Sequence, residues 1–180
     1  MKNSFITGSN IYLRPANISD AKGDWYKWLN DPEVTKFLTN QFWPNTKEKQ
    51  INFVKQSINS KERLLFSICL KKNDKHIGQC SLSGINWVHR YADIALLIGN
   101  KKFRKSLYTL EVYKLLFEIV FNRLNLQNLK SATANPVVKK IHQLQGFKHV
   151  GVYKNLLSID NTKTDLDLYV MSKLVWNKNK

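Results

Sequence analysis

The run Ala92–Ile98 (ADIALLI) is apolar almost throughout, and together with the segment on its C-terminal side it leaves few folds open. A strand without polar alternation belongs in the middle of a sheet, covered on both faces. A basic turn comes next, Lys101–Lys105 (KKFRK). Leu107–Leu124 then reads as one long helix: Glu111, Lys114, Glu118 and Asn122 recur at three- and four-residue steps, while Leu110, Leu115, Leu116, Ile119 and Val120 form the apolar stripe. Leu129–Ala134 is a second strand. Asn135 caps a short helix, Pro136–Gln145, which Gly146 closes. Strands and helices in this order predict a mixed α/β sheet with helices packed on it.

The flanking segments fit the same architecture. Asn10–Arg14 alternates and stops at Pro15, as a short strand does. Ser19-Asp20 supplies a cap for Ala21–Leu29, which carries Trp25, Trp28 and Leu29 on one face. Asp31-Pro32-Glu33 opens another helix, with proline at its first position. Gln41–Asn45 is a loop, and Thr46–Asn59 is helical with Ile51, Phe53, Val54 and Ile58 in a stripe. Leu64–Leu70 and His76–Leu82 are strands around a polar turn. His149–Leu157 and Leu166–Leu174 form a closing pair, and Trp176–Lys180 reads as a frayed tail. No repeat or Gly/Ser/Pro linker interrupts the chain, so one domain over residues 1–180 is expected.

Composition excludes several classes. Hydrophobic content of 43% argues for a packed protein rather than a disordered one. No run reaches the roughly 18–20 apolar residues of a membrane span, and the N-terminus has no apolar signal core, so no membrane partner and a cytoplasmic location are expected. Cys69 and Cys80 have neither CxxC nor Cys/His spacing; two buried free thiols and no metal site are expected. The formal charge of +16 suits an anionic partner such as a nucleotide, coenzyme A or RNA. Twenty-four of the 29 basic residues are lysine, however, and a solvated basic surface accounts for the charge equally well.

Four segments carry a resemblance to a known family. Tyr12-Leu13-Arg14-Pro15 and Trp28–Val34 (WLNDPEV) stand near the front, Ile85–Arg90 followed by Ala92-Asp93-Ile94 in the middle, and Asn135 with Gly146-Phe147 near the end. In this order they resemble the GNAT superfamily of N-acetyltransferases, in its RimJ/RimL-like branch. The resemblance implies an α/β (α+β) fold: a mixed central sheet of about six to seven strands, helices on both faces, and a splayed central strand. It implies acetyl-CoA as co-substrate and a primary amine as acceptor, either a protein N-terminus or the amino sugar of a nucleotide-sugar. Nucleic acid enters only indirectly, through a ribosomal substrate. A monomer or homodimer is expected.

The chemistry sets three demands: a neutral amine, a polarised thioester carbonyl, and a proton for the departing thiolate. By resemblance, the backbone of Leu96, Leu97 and Ile98 holds the pantetheine arm; a plain core strand fits those residues too. The family's pyrophosphate turn has an Arg/Gln-x-x-Gly-x-Gly/Ala pattern, matched here by Arg104, Lys105, Ser106, Leu107, Tyr108 and Thr109. Arg104 fits its first position, whereas Leu107 and Thr109 replace the small residues that let backbone approach phosphate. Either side chains take over the cradle, or cofactor binding has decayed and the chain is a binding or regulatory protein on an acetyltransferase fold. His142 occupies the position of the family's proton-donating tyrosine; a structural histidine is the alternative. Asp93 is the candidate to accept the amine proton, and Asn135 a candidate cofactor contact, although capping alone explains it. Trp43, Trp87 and His89 are candidates to line the acceptor site.

Overall fold

The computed structural model describes residues 1–39, 41–104 and 106–178. Its centre is a mixed sheet of eight strands: β1 (Ile6–Thr7), β2 (Ile11–Pro15), β3 (Leu64–Leu70), β4 (His76–Asn86), β5 (Tyr91–Ile98), β6 (Asn128–Thr133), β7 (Lys148–Ile159) and β8 (Thr162–Ser172). They lie in the order β1-β2-β3-β4-β5-β6-β8-β7. Every pairing is antiparallel except β5 with β6, which are parallel and joined by the long helix expected between them. The expected mixed sheet is present. Its eighth strand is the two-residue β1, too short for alternation to reveal.

Helices cover both faces. On one side α5 (Ser106–Phe117) continues into a wider π-helical stretch, Glu118–Arg123. Val112, Leu116, Ile119 and Val120 pack there on Ile68, Leu82, Ile94 and Leu129, all nearly or fully buried. Each such side chain contributes about 1.5–3 kcal/mol by leaving water. The Glu111 carboxylate ties α5 to the start of β2, accepting from the backbone N–H of Asn10 (2.8 Å) and of Ile11 (3.3 Å). α6 (Pro136–Gln145) joins the same core through Ile141, and Phe147 comes directly after its closing glycine.

The opposite face carries α1 (Ile18–Asp20), a π-helical turn Ala21–Trp25, α2 (Tyr26–Trp28), α3 (Pro32–Thr35) and α4 (Lys47–Ile58). Gly23 breaks the π-helical turn with non-helical dihedrals, so the helix expected over Ala21–Leu29 is kinked. Trp25, Trp28 and Val54 form a separate cluster with Ala16 and Ala21.

Two further expectations change. β4 runs past Leu82 to Asn86, with an irregularity around Gly84, whose φ of 54° suits glycine. The tail expected to fray is helical over α7 (Lys173–Lys178), held by Trp176 against Phe121 at 5.2 Å between ring centroids. Among the described residues, no helix is long and apolar enough to cross a membrane, and no group of three or more His, Cys, Asp or Glu could hold a metal ion. Cys69 and Cys80 are buried free thiols, as expected, and burial raises the pKa of both.

Candidate active site

Strands β5 and β6 share only three parallel positions: Tyr91 with Asn128, Ala92 with Leu129, and Asp93 with Lys130. Beyond that point they part. Residues Ile94–Ile98 stay paired with β4, from Leu82 back to Gly78, while Ser131–Thr133 stay paired with β8. A parted strand pair leaves one edge of backbone donors and acceptors without a ladder. This is the expected splay, and it begins at Asp93. Gly78 keeps β4 tight against β5 here, since a Cβ at that position would collide with the Leu97 carbonyl oxygen.

A cavity of about 350 Å³ opens beside the parted half of β5, on the face covered by α2–α4. Ala95 and Leu97 of β5, Gln79 and Ser81 of β4, and Leu65 of β3 contribute to its floor; Trp25, Leu29, Gln50 and Phe53 come from the helices, with Asn45 and Lys49 at the loop before α4 and its first turn. Leu96 and Cys80 also border it.

A buried hydrogen-bond chain braces the cavity from behind. Arg14 grips Asp20 through both terminal nitrogens, at 2.7 and 2.5 Å. The Ser67 hydroxyl donates to Asp20 (2.7 Å) and accepts from Gln79 Nε2 (3.1 Å). Burial alone would push the Asp20 carboxyl up, but Arg14, the Asn17 N–H and Ser67 outweigh it and hold the group below the usual carboxylate range. His76, its ring tilted against Trp28 at 5.1 Å between centroids, lies beside this chain; burial lowers its pKa despite the Asp20 charge.

Few of the expected side chains meet at the cavity. Leu96 and Leu97 border it, whereas the Ile98 side chain is buried in the core on the other face. Asp93 sits at the fork of the strands, on the face of Ala95 and Leu97 by strand alternation, half exposed and 3.2 Å from Lys130. Trp87 and His89 are exposed in the turn at the far end of β5, with the Trp87 indole donating to the Lys61 carbonyl. Trp43 is 74% exposed and lies outside the cavity, although its loop neighbour Asn45 lines it.

His142 differs most from its expected role. It has no exposed surface. Its Nε2 lies 3.0 Å from the Tyr113 hydroxyl, and Phe147 and Tyr169 pack on its ring at 4.5 and 4.8 Å. Burial disfavours the cation and lowers its pKa to about 4. In this structure the imidazole is packed among aromatic rings as a core residue is.

The turn expected to hold the pyrophosphate uses several of its side chains within the protein. Arg104 spends its guanidinium on backbone carbonyls, of Ile98 (3.2 Å), Gly99 (3.4 Å) and Glu33 (3.4 Å), and so clamps the end of β5 to α3. Lys101 is paired with Glu33 (2.6 Å) and Asp31 (3.3 Å). Tyr108 packs edge-on against Phe103, and Thr109 is buried. Leu107 is 60% exposed, its side chain turned to solvent at the first turn of α5. Lys105 and the Ser106 side chain lie outside the described residues. Asn135 caps α6, its side chain accepting from the Val137 N–H at 2.9 Å.

Sequence reasoning missed Trp25, Lys49, Gln50 and Gln79 as cavity residues. Alternation gave no signal for Gln79, which it groups with Ser81 on the polar face opposite Cys80 and Leu82.

Comparisons with known proteins agree with this architecture. The acetyltransferase (GNAT) domain family matches residues 10–148. The uncharacterized N-acetyltransferase p20 of Bacillus licheniformis is 26% identical over 170 residues, spanning 91% of this chain and 93% of that protein. The spermidine N-acetyltransferase of Vibrio cholerae, solved in complex with CoA and spermine, superposes with a TM-score of 0.86 at 16% identity, over 94% of this chain and 99% of that one. A GNAT-family acetyltransferase of Bacillus anthracis gives 0.78 at 16% identity, over 94% and 98%. At such identities the structural likeness speaks for the fold. The family match covers most of the chain and includes the parted strands, so this protein belongs to the acetyltransferase (GNAT) family.

Proposed function

We propose that the chain is an N-acetyltransferase moving an acetyl group from acetyl-CoA to a primary amine by direct transfer. The observation that carries this reading is the parting of β5 from β6 at Asp93, beside a cavity on the adjoining face. The backbone edge of Ile94–Ile98 suits an amide-bearing pantetheine arm, which needs donors and acceptors in a row. The N-terminus of α5 suits the pyrophosphate, because the first N–H groups of a helix have no intrahelical partner and carry positive dipole. The exposed Leu107 supports approach by the backbone itself. Arg104 and Lys101, committed elsewhere, do not support a cradle of side chains.

In this reading the amine nitrogen attacks the thioester carbonyl. The C–N bond forms, the C–S bond breaks, and the electron pair leaves with sulfur, which then takes a proton. The nitrogen loses a proton, with Asp93 at the strand fork as candidate acceptor. Holding amine and thioester together supplies much of the rate. Calorimetric titration with acetyl-CoA, followed by an assay of free thiol released with primary amines, tests the proposal. Binding and amine-dependent thiol release are expected; absence of saturable acetyl-CoA binding would overturn it. Leu107 and Thr109 in place of small residues favour one rival, a binding or regulatory protein on this fold that has lost the cofactor, which would show no saturable acetyl-CoA binding and release no thiol whatever amine is added.

A further inference from the structure

We infer that the acceptor is an amine with a single cation on an uncharged, hydroxyl-rich body, an amino sugar, rather than a polyamine or a peptide. This rests on the acetyltransferase reading above and concerns the same cavity. A polyamine needs carboxylates to replace its hydration. Among the described residues none lines the cavity, and Lys49, the charged residue there, is a cation. The acidic groups around it are already engaged: Asp20 by Arg14 and Ser67, Asp93 at the strand fork by Lys130. Aromatic rings also attract cations, but the Arg63 guanidinium already covers Phe53 at 5.2 Å, and Trp25 is turned edge-to-face against the same ring. The chain's net charge of +16 opposes a polycation further.

What the cavity offers instead is neutral hydrogen bonding. Gln50 and Gln79 line it and are 2% and 4% exposed. Gln50 uses its oxygen to accept from Asn45 (3.0 Å), which leaves Nε2 a buried donor without a partner. Gln79 is the reverse: its Nε2 is held by Ser67, and Oε1 is a buried acceptor without a partner. Orphaned buried groups of this kind cost stability unless something completes them. One donor and one acceptor match a hydroxyl-bearing ring, whose C–H faces suit Trp25 and Leu65. A peptide acceptor would need an edge to pair its backbone. In this cavity β3 and β4 are paired on both sides, and the open edge of β5 is the one the thioester arm requires.

The test compares equilibrium binding of glucosamine, spermidine and an alanyl tripeptide to the full chain saturated with CoA. Glucosamine is expected to bind most tightly. Gln50→Leu should weaken it about tenfold, the loss of one buried hydrogen bond, and the exposed substitution Lys49→Glu should shift the glucosamine/spermidine ratio toward spermidine. Tighter binding of spermidine or the tripeptide, or no saturable glucosamine binding, overturns the inference. Failure to bind CoA at the saturation step would instead overturn the proposed function, so the two failures separate. Thermal melts of both variants check that they fold.

Discussion

His142 illustrates how a residue's chemistry depends on what surrounds it. In water a histidine titrates near 6.5; enclosed by Tyr113, Phe147 and Tyr169 it titrates at about 4. The folded pKa lies below the unfolded one, so acid favours the unfolded chain. The stability it contributes is complete above pH 6.5, falls as pH drops toward 4, and totals about 3 kcal/mol. Urea unfolding of the parent and of His142→Phe at pH 7 and pH 5 measures this. The variant should lose less stability between the two pH values. Equal losses would mean that the imidazole is not buried neutral. A large drop in turnover with unchanged melting would restore it as an acid. Gly99 gives a purely steric case. A Cβ there would run into the Trp28 ring, so Gly99→Ala should cost about 1–3 kcal/mol in denaturant unfolding through overpacking. A cost below a few tenths would show that the Trp28 ring yields freely.

At the scale of elements, strands and helices were legible where period and burial agreed. The apolar run Ala92–Ile98 became a central strand, paired with β4 and at its start with β6, and its Ala92, Ile94 and Ile98 face the core, whereas the face of Asp93 and Ala95 is partly open. The kink at Gly23 and the π-helical turn at Glu118–Arg123 were not legible, because both keep nearly the same apolar stripe as a straight helix. The site was less readable than the fold. Sequence order placed His142, Trp87 and His89 near the expected chemistry, but side-chain direction is decided by packing, and packing turned them into the core or out to solvent. Gln50 and Gln79 come together from a helix and a strand distant in sequence. The first turn of α5 allows an element-scale test. Leu107→Glu places a carboxylate where the helix dipole welcomes it, so the melting temperature should hold or rise. The same charge should repel the pyrophosphate and weaken acetyl-CoA binding at least about tenfold. Unchanged affinity would place the phosphates elsewhere.

For the whole molecule, the excess of positive charge and the parted sheet act at different ranges. A net charge of +16 draws anionic ligands from a distance, but its reach is about 8–10 Å at physiological salt. Acetyl-CoA affinity should therefore fall with added salt, and spermidine should gain on glucosamine as its greater repulsion is screened. In the proposed function the decisive contacts are short-range and lie along one strand edge. Amide hydrogen exchange with and without acetyl-CoA reads that edge directly. New protection is expected at Ile94–Ile98 of β5 and over the first turn of α5, with β2 and β3 unchanged. If saturating acetyl-CoA leaves those β5 amides exchanging as in the free protein, the parted edge of β5 is not where the thioester arm lies.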